Sequence, residues 1–246
     1  MNTDNWRELQ NDITTDALWI SSLSTNNRPM FLIPKRDWGE ELKNSSDFHG
    51  LFIPEIPYQF IRRFTDEGDY VWDCFGGSGT TKRVADMLNR NCIINDISPT
   101  QNYIIPADSM TFNPGRKFKL VIMHPPYHNI VKYSDKENDG SNKSSVNDFL
   151  IWFEDVFKNV NQYVYDKGYV ILVLGNIYVS GEEIDLGVYG KDIIRKFGYL
   201  CKSHIIKDYG ETKGSDGRNY NLNYVRQLRG GYNNFYGDNI FILRKQ

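Results

Sequence analysis

A glycine-rich turn directly after a short apolar run is the feature that most constrains how this chain of 246 residues folds. The run at 69–75 reads DYVWDCF, and the next six residues, at 76–81, read GGSGTT. An apolar run that ends in glycines is typical of a strand buried on both faces of a parallel sheet. Residues 80–89 then carry their apolar residues on one helical face. The segment predicts a strand, a glycine turn and a helix, in that order.

Segments with strand and helix patterns alternate along the rest of the chain. Six further segments are predicted as strands, at 91–96, 102–105, 119–124, 168–175, 199–207 and 239–244. Two further segments are predicted as helices, at 147–165 and 187–197. This alternation predicts an α/β fold with a doubly wound, mostly parallel sheet that ends in an antiparallel C-terminal hairpin. We expect one domain over 1–246, in which 1–48 is a lead-in segment.

The composition is that of a folded protein in a reducing compartment. The chain has 29 basic and 31 acidic residues and is 40% hydrophobic, which is enough for a full core. No stretch approaches the ~18–20 apolar residues of a transmembrane helix, and the N-terminus lacks a secretory signal. Cys74, Cys92 and Cys201 do not have the spacing of metal ligands, so we expect neither a metal site nor a disulfide framework. These features predict a cytoplasmic protein.

The glycine turn and two aspartates point to a cofactor. Lys82 stands where the nicotinamide fingerprint needs a third glycine, and Gly79 is followed by Thr80 instead of the lysine of a P-loop. Asp96, at the end of the next predicted strand, is placed to accept hydrogen bonds from both hydroxyls of a ribose. Asp108 is a candidate acceptor for a hydrogen bond from an adenine amino group. An adenosine site without a phosphate loop favours S-adenosylmethionine. The alternative is an ordinary glycine turn with two surface aspartates.

A second motif follows another predicted strand. The run KLVIMH at 119–124 leads into Pro125, Pro126 and Tyr127. Two consecutive prolines keep the backbone out of a helix and fix the direction of its carbonyls. In an open parallel sheet such strand ends meet at the ligand-binding edge. We therefore expect this motif to lie beside the glycine turn.

Taken together, these motifs resemble those of the DNA amino-methyltransferases, which modify adenine N6 or cytosine N4. The glycine motif of that family is Asp-Pro-Phe-x-Gly-Ser-Gly-Thr-Thr, and 73–81 differs from it only at Cys74. The family's tetrad is Asp/Ser-Pro-Pro-Tyr, and His124 takes its first position here. The stretch HGLFIPEIP at 49–57 is similar to the start of the family's cofactor helix. The resemblance covers roughly 47–246.

The resemblance implies a class I S-adenosylmethionine methyltransferase fold, which is Rossmann-like, and a DNA duplex with a flipped base as the partner, as in restriction-modification. It implies a cofactor site formed by Phe52, Pro54, Asp73, Phe75, Gly76, Gly77, Ser78, Gly79, Thr80, Thr81, Asp96 and Asp108. It implies a catalytic tetrad formed by His124, Pro125, Pro126 and Tyr127.

The family's chemistry explains the residue types of the tetrad. An exocyclic amino nitrogen is a poor nucleophile because its lone pair is delocalised into the base ring. Hydrogen bonds from its N–H groups to the His124 side chain and the Pro125 carbonyl favour a pyramidal nitrogen, and Tyr127 offers a stacking face. Only a neutral imidazole can accept such a bond.

We therefore expect activity to decrease at pH values below the pKa of the His124 imidazole. A pH–activity profile that is flat from pH 5.5 to 8 would argue against this role of His124. Adenine N6 is favoured slightly over cytosine N4.

The C-terminal part is rich in basic and aromatic residues. Residues 191–246 contain eleven Lys or Arg against five Asp or Glu, and nine aromatic residues lie between 197 and 241. Aromatic faces beside basic groups suit stacking on bases and contact with phosphates. We predict a DNA-binding strip formed by Lys207, Lys213, Arg218, Arg226 and Arg229. The alternative is a solvated surface of mixed charge.

Two loop-rich stretches are candidate DNA-recognition loops, at 128–147 and 209–237. Within the first, 134–147 is polar and is expected to be mobile or ordered only on binding. A homodimer partner or a separate specificity subunit could also supply recognition. Other functions stay open: methylation of an RNA base, methylation of protein glutamine, whose enzymes usually have Asn before Pro-Pro, or an inactive subunit that binds nucleic acid.

Overall fold

The computed structural model describes residues 53–208, 229, 231 and 237–246, together with the backbone of a short strand near the N-terminus. The strands are β1 Leu18–Ile20, β2 Tyr70–Asp73, β3 Asn91–Asp96, β4 Ile105–Pro106, β5 Phe118–Met123, β6 Val164–Leu174, β7 Ile177–Val179, β8 Glu182–Ile184, β9 Tyr199–Asp208 and β10 Gly237–Lys245. The helices are α1 Glu55–Phe64, α2 Thr80–Met87, α3 Val146–Val160 and α4 Leu186–Lys196. Two short 3-10 turns lie at Gly140–Asn142 and Asn161–Tyr163.

Eight of these strands form one sheet in the order β1-β9-β10-β6-β5-β2-β3-β4. Strand β10 is antiparallel to both of its neighbours, β9 and β6. Every other pairing in this sheet is parallel. From β2 the chain builds outward through β3 and β4, and then returns to the other side of β2 with β5. The predicted α/β fold, a mostly parallel sheet with an antiparallel C-terminal hairpin, is confirmed.

The sheet is buried on both faces, as the apolar runs predict. In β6, Val170, Leu172 and Leu174 pack into one core layer, whereas Ile171 and Val173 pack into the other. Helices α3 and α4 cover the first layer, and helices α1 and α2 cover the second. Because alternate residues of a strand point to opposite faces, a strand between two layers must be apolar throughout.

Two predictions about elements are wrong in detail, and three strands were not predicted. The strand expected at 102–105 is reduced to β4, because the chain turns at Ile104, whose N–H donates to the Gln101 carbonyl at 3.2 Å. The helix expected to reach residue 165 ends at Val160, since a 3-10 turn there leads directly into β6. The hairpin of β7 and β8, and strand β1 inside the lead-in segment, were not predicted.

Helix α4 begins at a side-chain cap that also contacts strand β10. The Val188 N–H donates to Asp185 Oδ1 at 3.0 Å, and the Asn239 side-chain amide of β10 donates to the same oxygen at 3.4 Å. An Asp at this position satisfies a backbone N–H that the helix leaves without a partner.

We expect Asp185→Ala to lower the free energy of unfolding by about 1 kcal/mol, because the cap is lost. Asp185→Asn is the matched control, since its amide oxygen can still accept the capping bond. Urea denaturation of the two variants measures the difference. Equal losses would show that charge, and not the cap, stabilises this helix.

Candidate active site

A cavity of about 530 Å³ lies at the carboxyl ends of β2, β3 and β5. The glycine turn after β2 and the Asp96 segment after β3 form one side, and the tetrad after β5 forms the other. Part of the 128–147 loop and two residues of the β9–β10 hairpin complete the wall. The point between β2 and β5 is where the strand order reverses, which is where ligands bind in open α/β sheets.

The glycine turn has a left-handed backbone at Gly79, beside the Tyr103 ring. This residue caps α2 with a φ of +82°, and a Cβ there would lie 2.3 Å from the Tyr103 hydroxyl. The Gly77 N–H donates to Asp96 Oδ2 at 2.9 Å, so the turn is fastened to the end of β3. Glycine at position 79 is therefore favoured by the left-handed backbone conformation, and any side chain there would also have to displace the Tyr103 ring.

Two predicted cofactor acids, Asp96 and Asp108, line the cavity. Asp96 Oδ1 accepts a bond from the Ser98 N–H at 2.8 Å, and burial raises the pKa of Asp96 above its usual value. Asp108 Oδ1 accepts from the Met110 N–H at 2.9 Å. A carboxylate oxygen has two lone pairs, so an oxygen that binds a backbone amide can still accept from a ligand.

Asp73, at the end of β2, is buried beneath the turn. It is 4% exposed, its Oδ1 accepts from the Phe75 N–H at 3.0 Å, and burial raises its pKa to about 6. Cys74, the one departure from the family's glycine motif, is buried beside it, with Sγ 3.8 Å from the Ile122 carbonyl oxygen. The cysteine therefore packs against β5.

The tetrad is joined to the C-terminal hairpin by a series of hydrogen bonds. His124 Nε2 lies 3.1 Å from the Tyr127 hydroxyl, which donates to Asp238 Oδ1 at 2.8 Å. Asp238 Oδ2 accepts from the Lys207 ammonium at 2.7 Å. Lys207 and Asp238 are 7% and 5% exposed, so this ion pair is buried.

Burial lowers the pKa of His124 to about 4, with the Lys207 ammonium acting in the same direction and the Asp238 carboxylate against it. The ring is therefore neutral throughout the physiological range. This changes the pH expectation drawn from the sequence, because a flat profile between pH 5.5 and 8 is now compatible with a role as acceptor.

Tyr127 occupies space that a glycine leaves open. A Cβ at Gly175, the residue after β6, would lie 2.7 Å from the Tyr127 ring and 3.2 Å from Asp238 Oδ1. The absence of a side chain at this position lets the tyrosine ring lie against the end of β6 while its hydroxyl meets Asp238.

The 134–147 stretch, expected to be mobile, has defined contacts with the cavity wall. Buried Asp139 accepts from the Ser134 hydroxyl at 2.6 Å and from the Ser141 N–H at 2.8 Å. The Trp152 indole donates to the Asn138 carbonyl at 2.9 Å, and Lys136 donates to the Ile97 carbonyl. These polar residues satisfy one another and cover the glycine-turn side of the cavity.

The remaining predicted residues fall in several places. Pro54 is buried at the start of α1 and is not in the cavity wall, and Phe52 lies outside the described residues. Lys207 lies in the cavity wall instead of on an exposed strip, because it pairs with Asp238. Arg229 is exposed. The other strip residues, outside the described part, are Lys213, Arg218 and Arg226.

Sequence reasoning missed Asp238 and the position of Lys207. A signal for them exists, since Lys207 and Asp238 are directly opposite each other in the antiparallel register of β9 and β10. Opposite charges at paired positions of a predicted hairpin indicate a cross-strand ion pair.

Within the described residues no helix is long and apolar enough to cross a membrane.

A family model described as DNA methylase matches residues 4–105. The match spans about two fifths of the chain, includes the glycine turn and Asp96, and ends before the tetrad. It confirms the resemblance to the adenine-N6 and cytosine-N4 DNA methyltransferases. No protein of curated function matches the chain.

Solved structures show the same fold at low sequence identity. A sarcosine dimethylglycine methyltransferase from Galdieria sulphuraria is 10% identical with a TM-score of 0.50, over 78% of this chain and 85% of that one. The cyclopropane synthase MmaA2 from Mycobacterium tuberculosis is 11% identical with a TM-score of 0.50, over 83% and 88%. TrmN from Thermus thermophilus is 14% identical with a TM-score of 0.46, over 79% of this chain and 49% of that one. The first two of these structures, each with a TM-score of 0.50, show that the fold is that of the class I methyltransferases.

We expect the His124 ring to stay neutral between pH 7 and 5.5, whereas an unperturbed histidine would be half protonated near pH 6.5. A 15N NMR titration of histidine-labelled protein measures this directly, and His124→Gln identifies the resonance. Activity alone would be ambiguous, because Asp73 titrates near pH 6. A His124 midpoint above 6 would show that the ring is more hydrated than its burial indicates.

We expect Gly175→Ala to displace the Tyr127 ring and to destabilise the protein by about 1–3 kcal/mol, as overpacking does. A double-mutant cycle with Tyr127→Ala supplies the control. If the clash with tyrosine is the cause, Gly175→Ala costs much less in the Tyr127→Ala background. An unchanged cost would place the conflict elsewhere.

Proposed function

We propose that this chain, which matches the DNA methylase family and has the class I methyltransferase fold, methylates the exocyclic amino group of a base in DNA with S-adenosylmethionine as cofactor. One observation carries the proposal. The glycine turn with Asp96 and the tetrad that begins at His124 line a single cavity. A cofactor site and an acceptor for an amino group are therefore side by side.

The residues of the cavity suit S-adenosylmethionine. Its volume of about 530 Å³ is within the ~300–1,000 Å³ of small-molecule sites. The described wall has one basic side chain and several acidic ones. The acids are Asp73, Asp96, Asp108, Asp139 and Asp238, and the base is Lys207. Such a wall favours a cationic sulfonium over the phosphates of a nucleotide, since like charges repel.

Each part of the cofactor has candidate partners in this wall. Residues 73–78 of the glycine turn line the cavity, Asp96 can accept hydrogen bonds from ribose hydroxyls, and Asp108 can accept one from an adenine amino group. When bound, S-adenosylmethionine supplies an electrophilic methyl group. The protein's task is then to hold the target nitrogen in line with it, which contributes much of the rate in such reactions.

His124 supplies the acceptor that this task needs. The ring is neutral, and its Nε2 lies beside the Tyr127 hydroxyl. An imidazole in this state has one N–H and one lone pair, so it can accept from one N–H of an amino group. The Pro125 carbonyl, also in the cavity wall, is the proposed acceptor for the other N–H. Both bonds draw the amino group toward the pyramidal form.

DNA is the proposed substrate class, with adenine N6 favoured over cytosine N4. The match to the DNA methylase family supports this choice. Because the tetrad lies in a cavity, a base within a duplex would have to be flipped out to reach it, at a cost of a few kcal/mol. The exposed Arg229 and the rest of the predicted strip are proposed phosphate contacts. Lys207 is left out of this proposal because its ammonium pairs with the buried Asp238 carboxylate.

We expect a bacterium without DNA methylation to acquire N6-methyladenine in a recurrent sequence motif when it expresses this protein. Modification-sensitive sequencing of the host DNA measures the result. N4-methylcytosine would correct the base but keep the reaction. Unmodified DNA, from cells that contain folded protein able to bind S-adenosylmethionine, would overturn DNA as the substrate, and methylated host RNA would identify the alternative.

We expect His124→Ala to keep its affinity for S-adenosylmethionine and to lose methyl transfer by about 10²–10³-fold, the usual cost of removing one preorganised hydrogen-bond partner. His124→Gln is the matched control, because its amide oxygen restores an acceptor. Purified variants are compared by calorimetry and by transfer of a labelled methyl group. An alanine variant with full activity would show that His124 does not contact the amino group.

A further inference from the structure

We infer that the buried pair Lys207–Asp238 acts through Tyr127 to hold His124 in the tautomer whose Nδ1 is the hydrogen-bond acceptor. Lys207 and Asp238 are thus positioning residues on the C-terminal hairpin. The use of this acceptor for a base amino group rests on the proposed function, whereas the tautomer itself does not.

Lys207, Asp238, Tyr127 and His124 form a series of hydrogen bonds, in that order. Within this series the Asp238 carboxylate can act only as an acceptor. Asp238 accepts from the Lys207 ammonium at one oxygen, at 2.7 Å, and this contact with a cation favours the ionised form. An ionised carboxylate has no proton to donate. The Tyr127 hydroxyl, 2.8 Å from the other oxygen, must therefore be the donor in that bond.

The proton of the tyrosine determines that of the histidine. A hydroxyl has one hydrogen, and the Tyr127 hydrogen is used on Asp238. Toward His124 Nε2, at 3.1 Å, the tyrosine oxygen can only accept. Nε2 must then have the hydrogen, and in a neutral ring Nδ1 keeps the lone pair. The order of donors is Lys207, then Tyr127 toward the same carboxylate, then His124 toward Tyr127.

A merely structural ion pair explains less of this arrangement. A buried pair of charges is often no more stabilising than apolar residues of similar size, because both charges lose their hydration. Here the second carboxylate oxygen of Asp238 accepts a hydrogen bond from Tyr127 of the tetrad. Gly175 leaves the space in which Tyr127 and Asp238 meet. The pair connects the hairpin to the proposed acceptor.

Asp238→Asn tests the inference, because its amide can reverse the series. The Asn oxygen would turn toward the Lys207 ammonium, so the amide nitrogen would face Tyr127 and donate to it. Tyr127 would then donate to His124 Nε2, and the ring would move its hydrogen to Nδ1. Long-range 1H–15N NMR of histidine-labelled protein separates protonated from unprotonated ring nitrogens and reports the change without any substrate.

The same spectra contain an internal control. His204 lies on β9 in the same hairpin, where its Nε2 is 2.8 Å from Asn239 Oδ1. We expect its resonances to be unchanged in Asp238→Asn if the hairpin stays folded. Should that variant fail to fold, Tyr127→Phe removes one oxygen from the series, and we expect His124 to become a mixture of tautomers.

Kinetics give a second readout. We expect Asp238→Asn to lower methyl transfer on the order of 10²-fold when measured at saturating S-adenosylmethionine, since the acceptor is misplaced even where the cofactor is bound. Lys207→Met is expected to lower turnover without changing the salt dependence of DNA binding, which a phosphate contact would change. A reduced salt slope would return Lys207 to the DNA-binding strip and overturn its place in the series.

The outcomes separate this inference from the proposed function. If wild-type His124 has its hydrogen on Nδ1, or if Asp238→Asn leaves its tautomer unchanged, the inference is wrong even where DNA is methylated. If the tautomer reverses as expected in a protein that methylates nothing, the series stands and the proposed reaction fails.

Discussion

The parallel pairing of β2 with β5 is the interaction on which the site depends. Val71, Trp72 and Asp73 of β2 pair with Leu120, Val121 and Ile122 of β5. This register brings both strands to an end at the same level, so the glycine turn and His124 open into one cavity. After β2 the chain adds β3 and β4 on one side of the sheet and then β5 on the other side. No connecting helix therefore covers the gap between the carboxyl ends of β2 and β5.

A buried polar network holds the glycine-turn side of this edge together. The Trp72 indole of β2 donates to Asn95 Oδ1 at 2.8 Å, and the Asn95 amide donates to the Ser109 hydroxyl at 2.8 Å. Ser109 in turn donates to the Cys74 carbonyl. Three segments distant in sequence are thereby fixed relative to one another, because each buried polar group must have a partner. The positions of Asp96 and Asp108 follow from the residues beside them.

The parts of the molecule that were predictable from sequence are those in which local pattern and final environment agree. Apolar runs gave the central strands, because a strand buried on both faces must be apolar. The strand ends then brought Asp96 and the tetrad together by a general rule of parallel sheets. The 134–147 stretch has the composition of a solvated loop, and no local pattern in it indicates that Asp139 is buried and bonded to Ser134 and Ser141.

Lys207 misled for a related reason. In sequence it begins a run of basic residues, but in the fold its position is decided by the register of two strands whose facing residues are 31 positions apart. No periodicity within either strand encodes that register. Only the opposite charges of Lys207 and Asp238 indicate it, and they do so once the hairpin is known. The pairing register of strands that are distant in sequence is therefore difficult to predict from a single sequence.

The cavity also gives a physical reason for histidine in place of the family's aspartate. An Asp at position 124 would put a further carboxylate into a wall that already has several, close to Asp238. Burial already raises the pKa of Asp73 to about 6, so another ionised acid here would be costly. A neutral imidazole provides an acceptor without a charge. A serine would also be neutral, but its hydroxyl turns freely, whereas the contact with Tyr127 orients the ring and determines which nitrogen accepts.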